Sequence, residues 1–161
     1  MKQLSLIPNA SHSFIGKVFC PTKGQRKARR PLSTQHPIHL ILRTKRFDLR
    51  RQKRSVCTEW HRFAKRFGMK THRLVVAGDH IHAIVQLHSL KSFAPFVQAV
   101  TGTLARRFNF KWLCRPTTRI ASWGRDFKRL CQYVKLNWLE ANGLIEYQPK
   151  RTRALPDWVK L

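Results

Sequence analysis

The sequence predicts an α+β fold, a ferredoxin-like (RRM-like) antiparallel sheet with two helices on one face and a C-terminal helix near the other. The order of apolar patterns is strand, helix, strand, strand, helix, strand, helix, so strand–helix–strand occurs twice before the last helix. The middle strands are joined by the short turn signal Gly78-Asp79, which pairs them as a hairpin. A length of 161 residues with 42% apolar content fits one domain with a core of its own.

Each element has its own warrant. Residues 1–33 are broken by Pro8, Pro21, Gly24 and Pro31 and carry the run "KGQRKARRP". They are expected to form a basic, flexible arm suited to phosphates. "HPIHLILRTKRF" (36–47) reads as the first strand. "RSVCTEWHRFAKRFG" (54–68) sets Val56, Trp60, Phe63, Ala64 and Phe67 at helical spacing and stops at Gly68. "KTHRLVVAG" (70–78) is the second strand and 80–88 the third. Ser92 is expected to cap a helix through Phe108, with Phe93, Phe96, Val97, Val100, Leu104 and Phe108 as its buried stripe. A short strand is expected near "TTRIASW" (117–123). Asp126 is expected to cap the last helix, "FKRLCQYVKLNWLEAN", which ends at Gly143. The folded domain is thus placed at 34–145, with a basic tail over 146–161.

Charge narrows the function. Lys and Arg number 33 against 7 Asp and Glu, a formal +26, spread from Lys17 to Lys160. A polycation of this kind implies a polyanionic partner, and nucleic acid is the expected one. No long apolar run or signal-peptide pattern points to a membrane. The seven carboxylates, Asp48, Glu59, Asp79, Asp126, Glu140, Glu146 and Asp157, are scattered. That excludes an all-carboxylate two-metal nuclease site. Cys20, Cys57, Cys114 and Cys131 show no CxxC pairing, and Cys57 with His61 four residues on is read as helix packing. Reduced thiols in a cytoplasmic protein follow.

The chemistry-bearing stretch is "VVAGDHIHAIVQLH" (75–88). A period of two sends His80 and His82 to one face, roughly 6.5–7 Å apart along the strand, with Ile81, Ala83, Val85 and Leu87 on the other. Two imidazoles at this spacing suit one divalent ion. On the last helix, Phe127, Leu130, Cys131, Val134, Trp138 and Ala141 form an apolar stripe, and Tyr133 and Asn137 sit one above the other on its rim. Packing that stripe on the open sheet face brings a phenol and an amide oxygen towards the histidines.

"DHIHAIVQ" resembles the His-hydrophobic-His motif of the HUH nucleases, and "YVKLNWLEANGLI" (133–145) resembles the Tyr-x3-Asn-Pro…Gly-Leu-Val segment of single-tyrosine HUH transposases. "LILRTKRF" and "FVQAVTGTLARRFN" are similar to the first strand and second helix of the REP-associated tyrosine transposase and IS200-like group. The resemblance covers about residues 35 to 145, with Trp138 where relatives have Pro and Gly78-Asp79 where many have Pro-Asn. It implies that His80, His82 and Asn137 hold one Mg²⁺ or Mn²⁺ and that Tyr133 is the nucleophile. The activity it implies is a single-stranded DNA endonuclease and strand transferase, a transposase working at hairpin-bearing DNA through a 5′-phosphotyrosine link.

Arg43, Lys45 and Arg46 end the first strand, and Arg106, Arg107 and Lys111 are placed at the end of the second helix. Both clusters are candidate DNA contacts. Trp112, Trp123 and Trp138 are candidates for stacking on unpaired bases, Trp138 being assigned to the core stripe. His36, His39, His61, His72 and His88 are read as structural or exposed. Two other readings compete. One is a non-catalytic, domesticated nucleic-acid binder on the same scaffold. Such modules set aromatics on the central strands, where this sequence has His80 and His82. The other is a basic ribonucleoprotein component, which leaves the motifs unexplained. The motifs fit a monomer and a homodimer alike, and the expected place is the cytoplasm, on the nucleoid in a prokaryotic host.

Overall fold

The computed structural model describes residues 31–146. The arm expected over 1–33 and the tail over 146–161 lie outside the described residues except at their inner ends. The elements run β1 (Ile38–Lys45), a 3-10 turn (Leu49–Gln52), α1 (Lys53–Arg66), β2 (Met69–Val76), β3 (His80–Leu87), α2 (Leu90–Phe108), β4 (Lys111–Trp112), β5 (Thr117–Ile120) and α3 (Arg125–Ala141).

All strand pairs are antiparallel, in the order β2-β3-β1, and β1's other edge is shared by β4 and β5. This is the ferredoxin-like plan with its fourth strand in two pieces. β5 pairs the first half of β1, from Ile38↔Ile120 to Ile41↔Thr117, and β4 pairs its end, Thr44↔Trp112 and Lys45↔Lys111. Lys111 therefore belongs to an edge strand and not to the second helix. That helix stops at Asn109, which takes a left-handed conformation (φ 50°) and donates its N–H to Ala105.

Alternation along the strands splits the sheet into two faces. Ile38, Leu40 and Leu42 of β1 and Ile81, Ala83, Val85 and Leu87 of β3 face α1 and α2 in the main core, around Trp60 and Phe96 set edge to face at 5.1 Å. Trp60 is fully buried, and its indole N–H donates to Thr71 Oγ1 at 3.1 Å, so the polar edge of the ring keeps a partner. On the opposite face Val75, Ile84, Ala121, Leu130 and Val134 make a smaller core under α3, which lies over β2 and β3.

Helix boundaries correct the sequence expectations in three places. The cap of α2 lies three residues before the expected one: Ser89, not Ser92, accepts from the Lys91 N–H, and Pro95 falls inside the helix. Serine stands at both 89 and 92, so residue type alone does not choose between them. Asp126 lies in the first turn of α3, behind Gly124 at the cap position. Its carboxylate accepts from the Ser122 N–H at 3.2 Å and from Arg119 at 2.7 Å, tying the helix start to β5. The buried line of α3 is Leu130, Val134, Asn137 and Leu139, while Trp138 is 39% exposed with Lys53 5.9 Å over its ring. Trp138 is therefore not a core residue, and Asn137 is not on the rim. The terminator is as expected: Gly143 has φ +69°, and Leu144 donates back to Leu139.

Candidate active site

Three elements meet where β3 leaves its turn. Thr44 fixes the turn to the end of β1. Its N–H and Oγ1 both donate to the Asp79 carbonyl, at 2.7 and 3.0 Å, and Leu49 N–H donates to Gly78 O at 2.6 Å. Register then sets Arg43 opposite His80 and Ile41 opposite His82, so His39, Arg43, His80 and His82 share the face beneath α3.

The two motif histidines converge. Their ring centroids are 4.5 Å apart at an interplanar angle of 88°, closer than the strand spacing because the side chains lean together. Tyr133 sits edge-on to His82, with centroids 5.7 Å apart, so α3 brings the phenol ring to the imidazoles as the sequence led us to expect. Asn137, one turn further on, is buried, and its Nδ2 donates to the Tyr133 carbonyl at 2.9 Å.

Each motif histidine has a partner at Nδ1. His80 Nδ1 lies 2.6 Å from Asp79 Oδ1, and Arg43 Nε donates to Asp79 Oδ2 at 2.8 Å, so one carboxylate holds a histidine and an arginine together. Burial raises the Asp79 carboxyl, but the hydrogen bonds and charges of His80 and Arg43 outweigh it and hold it below the usual carboxylate range. A carboxylate can only accept, so His80 Nδ1 carries a proton, and in the neutral ring the lone pair is on Nε2. His82 Nδ1 lies 3.0 Å from Nε2 of His39, whose ring stacks on His82 (5.2 Å, 18°) and meets Tyr133 edge-on at 5.9 Å.

His39 is the member that sequence reasoning missed. Only 6% exposed, it is held neutral near neutral pH: burial, then Arg119 and then His80 push its pKa from 6.5 to about 4. The signal was present in the strand period, which sets His39 opposite Ile38 and Leu40. Its nearness to His82, 43 residues away, depends on β1–β3 register and was not legible.

The basic candidates divide. Arg43 stands in the site through Asp79. Lys45 and Lys111 are exposed and opposite one another on the β1–β4 edge, and Arg46 follows them with φ 55°. Arg107 pairs with Glu59, which also holds Arg62, and so ties α2 to α1; Arg106 donates to the Gly102 carbonyl of its own helix. Of the tryptophans, Trp112 is packed on α2 with its N–H on Thr101 O, whereas Trp123 is 44% exposed and edges His72.

The residues fit a single divalent ion: two imidazoles on one face, one of them with its Nε2 lone pair defined by Asp79, and a buried amide. Among the described residues no three His, Cys, Asp or Glu side chains converge on one point. Burial pushes the Cys57 thiol up, which disfavours the thiolate a zinc pair with His61 would need. No described helix is long and apolar enough to cross a membrane.

Comparison with known proteins bears on the fold and the family. A structure of a REP-associated tyrosine transposase bound to a REP hairpin superposes with a TM-score of 0.65 at 14% identity, over 76% of this chain and 77% of that one. A putative transposase from Deinococcus radiodurans R1 gives 0.49 at 19% identity, over 70% of this chain and 98% of that one. The first likeness supports the fold. No curated protein matches the chain. The family model described as "Transposase IS200 like" matches residues 33–130, a span that holds His80 and His82 and ends before Tyr133 and Asn137. With more than half of its length matched by that model, the chain belongs to the IS200-like transposase family.

Proposed function

We propose that this protein is a metal-dependent endonuclease and strand transferase acting on single-stranded, hairpin-bearing DNA, with Tyr133 as nucleophile. The observation that carries the reading is the packing of the Tyr133 ring against His82, beside His80, on the sheet face opposite the main core. His80 and His82 would hold one Mg²⁺ or Mn²⁺, with the Asn137 amide as third donor. Such an ion, when bound, offsets negative charge on the phosphate under attack. The chain's own residues do the rest. Asp79 orients His80, the small core under α3 fixes the height of Tyr133, and Arg43 adds positive charge beside the site.

In the step proposed, the phenolic oxygen bonds to phosphorus and the P–O3′ bond breaks, with the phenol proton passing to solvent and the released 3′ oxygen taking one up. The phosphotyrosine link keeps the phosphodiester energy, so a 3′-hydroxyl can reverse the step and join a different end. The +26 charge suits the polyanionic substrate, and the exposed Lys45, Arg46 and Lys111 form a basic edge on β1 and β4.

The test is incubation of the protein and Mn²⁺ with labelled single-stranded oligonucleotides, with and without a hairpin. A denaturant-resistant protein–DNA band is expected from the wild type and none from Tyr133→Phe, which should still bind DNA. DNA binding without any adduct would favour a domesticated binder instead. An adduct that persists in Tyr133→Phe would move the nucleophile to Tyr147.

A further inference from the structure

We infer that His39 is a positioning residue that selects the tautomer of His82, presenting its Nε2 lone pair for a metal ion as Asp79 does for His80. The inference deepens the proposed function, because it rests on His82 being a ligand.

The geometry leaves two choices. His39 Nε2 and His82 Nδ1 are 3.0 Å apart inside the protein, a distance at which one hydrogen lies between them. If His39 donates, a neutral His82 must carry its own proton on Nε2 and has no lone pair there. If His82 donates from Nδ1, its Nε2 is a lone pair and His39 carries its proton on Nδ1. Only the second arrangement makes both motif histidines Nε2 donors. Asp79 already selects that tautomer of a neutral His80, since a carboxylate has no proton to give.

The surroundings hold His39 to this task. Its ring lies nearly parallel to that of His82, and Tyr133 closes over both from α3. It is diagonal to His82 across the β1–β3 ladder, so the strand register fixes the contact without any loop. The histidines and Asp79 do not form a three-fold ligand set among the described residues, which suits a role for His39 through His82 and not on the ion. A partner at this remove is worth about 10- to 100-fold in metal affinity.

The test uses the full chain, first without metal. Long-range ¹H–¹⁵N correlation of the imidazoles should show His82 protonated on Nδ1 and unprotonated on Nε2. In His39→Leu, with an otherwise unchanged amide spectrum, the proton should move to Nε2. Titration with Mn²⁺ alone, read by electron paramagnetic resonance, should weaken about 10- to 100-fold. His39→Gln, which keeps an acceptor oxygen, should recover most of that loss. A wild-type His82 protonated on Nε2 would overturn the inference, as would Mn²⁺ affinity unchanged within about twofold in His39→Leu or, should that variant not fold, in His39→Phe. Absence of any DNA adduct, with the tautomer and Mn²⁺ shifts present, would defeat the nuclease reading and leave this one standing.

Discussion

Lowering the pH should destabilise the metal-free protein through His39. The imidazole is 6% exposed, and its pKa is about 4 in the fold against an ordinary 6.5. The unfolded chain therefore binds more protons between those two values, so stability is complete above about pH 6.5 and is lost as the pH falls towards about 4. The displacement is worth about 3 kcal/mol, a large share of the 5–15 kcal/mol typical of a domain. Other groups near the ring also titrate or carry charge: His80 and His82 on β3, Tyr133 on α3, and Arg119 on β5 with its partner Asp126. Comparison with His39→Leu subtracts their share. Urea unfolding in the presence of a chelator, with an m-value of about 1–3 kcal/mol per M, is the assay. Between about pH 7 and about pH 4 the wild-type midpoint should fall by about 1–3 M more than that of His39→Leu. Midpoints that fall in parallel would mean that His39 is not held neutral by burial, and the account of the site's electrostatics would fail.

Two further outcomes follow from packing and charge. Leu130→Ala empties a buried position in the small core that seats α3 and should cost about 2–5 kcal/mol by urea unfolding. A loss below about 1 kcal/mol would show that this layer does not hold the tyrosine helix. Lys111→Ala removes an exposed charge from the β1–β4 edge. If that edge meets phosphate, the slope of log affinity against log salt should become shallower by about one, for all DNA sequences alike. An unchanged slope would take this edge out of the DNA interface.

Much of the fold was legible because it rests on local periods. Trp60 and Phe63 at helical spacing, Gly68 and Gly143 as terminators, and Ile81, Ala83, Val85 and Leu87 on alternate positions all fall where the patterns set them. The same period put His80 and His82 on one face. The misreadings have local causes too. Serine stands at both 89 and 92, so residue type does not choose the cap of α2, and the two-residue strand at Lys111 is too short to carry a period. A bulge at His72 between Thr71 and Arg73 breaks the alternation of β2, so His72 turns towards Trp123 and Phe127.

What the sequence determined by itself is the set of faces: which side of each strand is apolar, where helices stop, and that two imidazoles and a tyrosine belong to elements able to meet. Tertiary structure alone decided who touches whom. The turn of α3 about its axis buries Asn137 and exposes Trp138, and the pairing of β1 with β3 brings His39 to His82 and Arg43 to Asp79. The reason is physical. Periodicity follows from the backbone geometry of a single segment, whereas register and docking angle are settled by the sum of contacts between segments far apart in the chain.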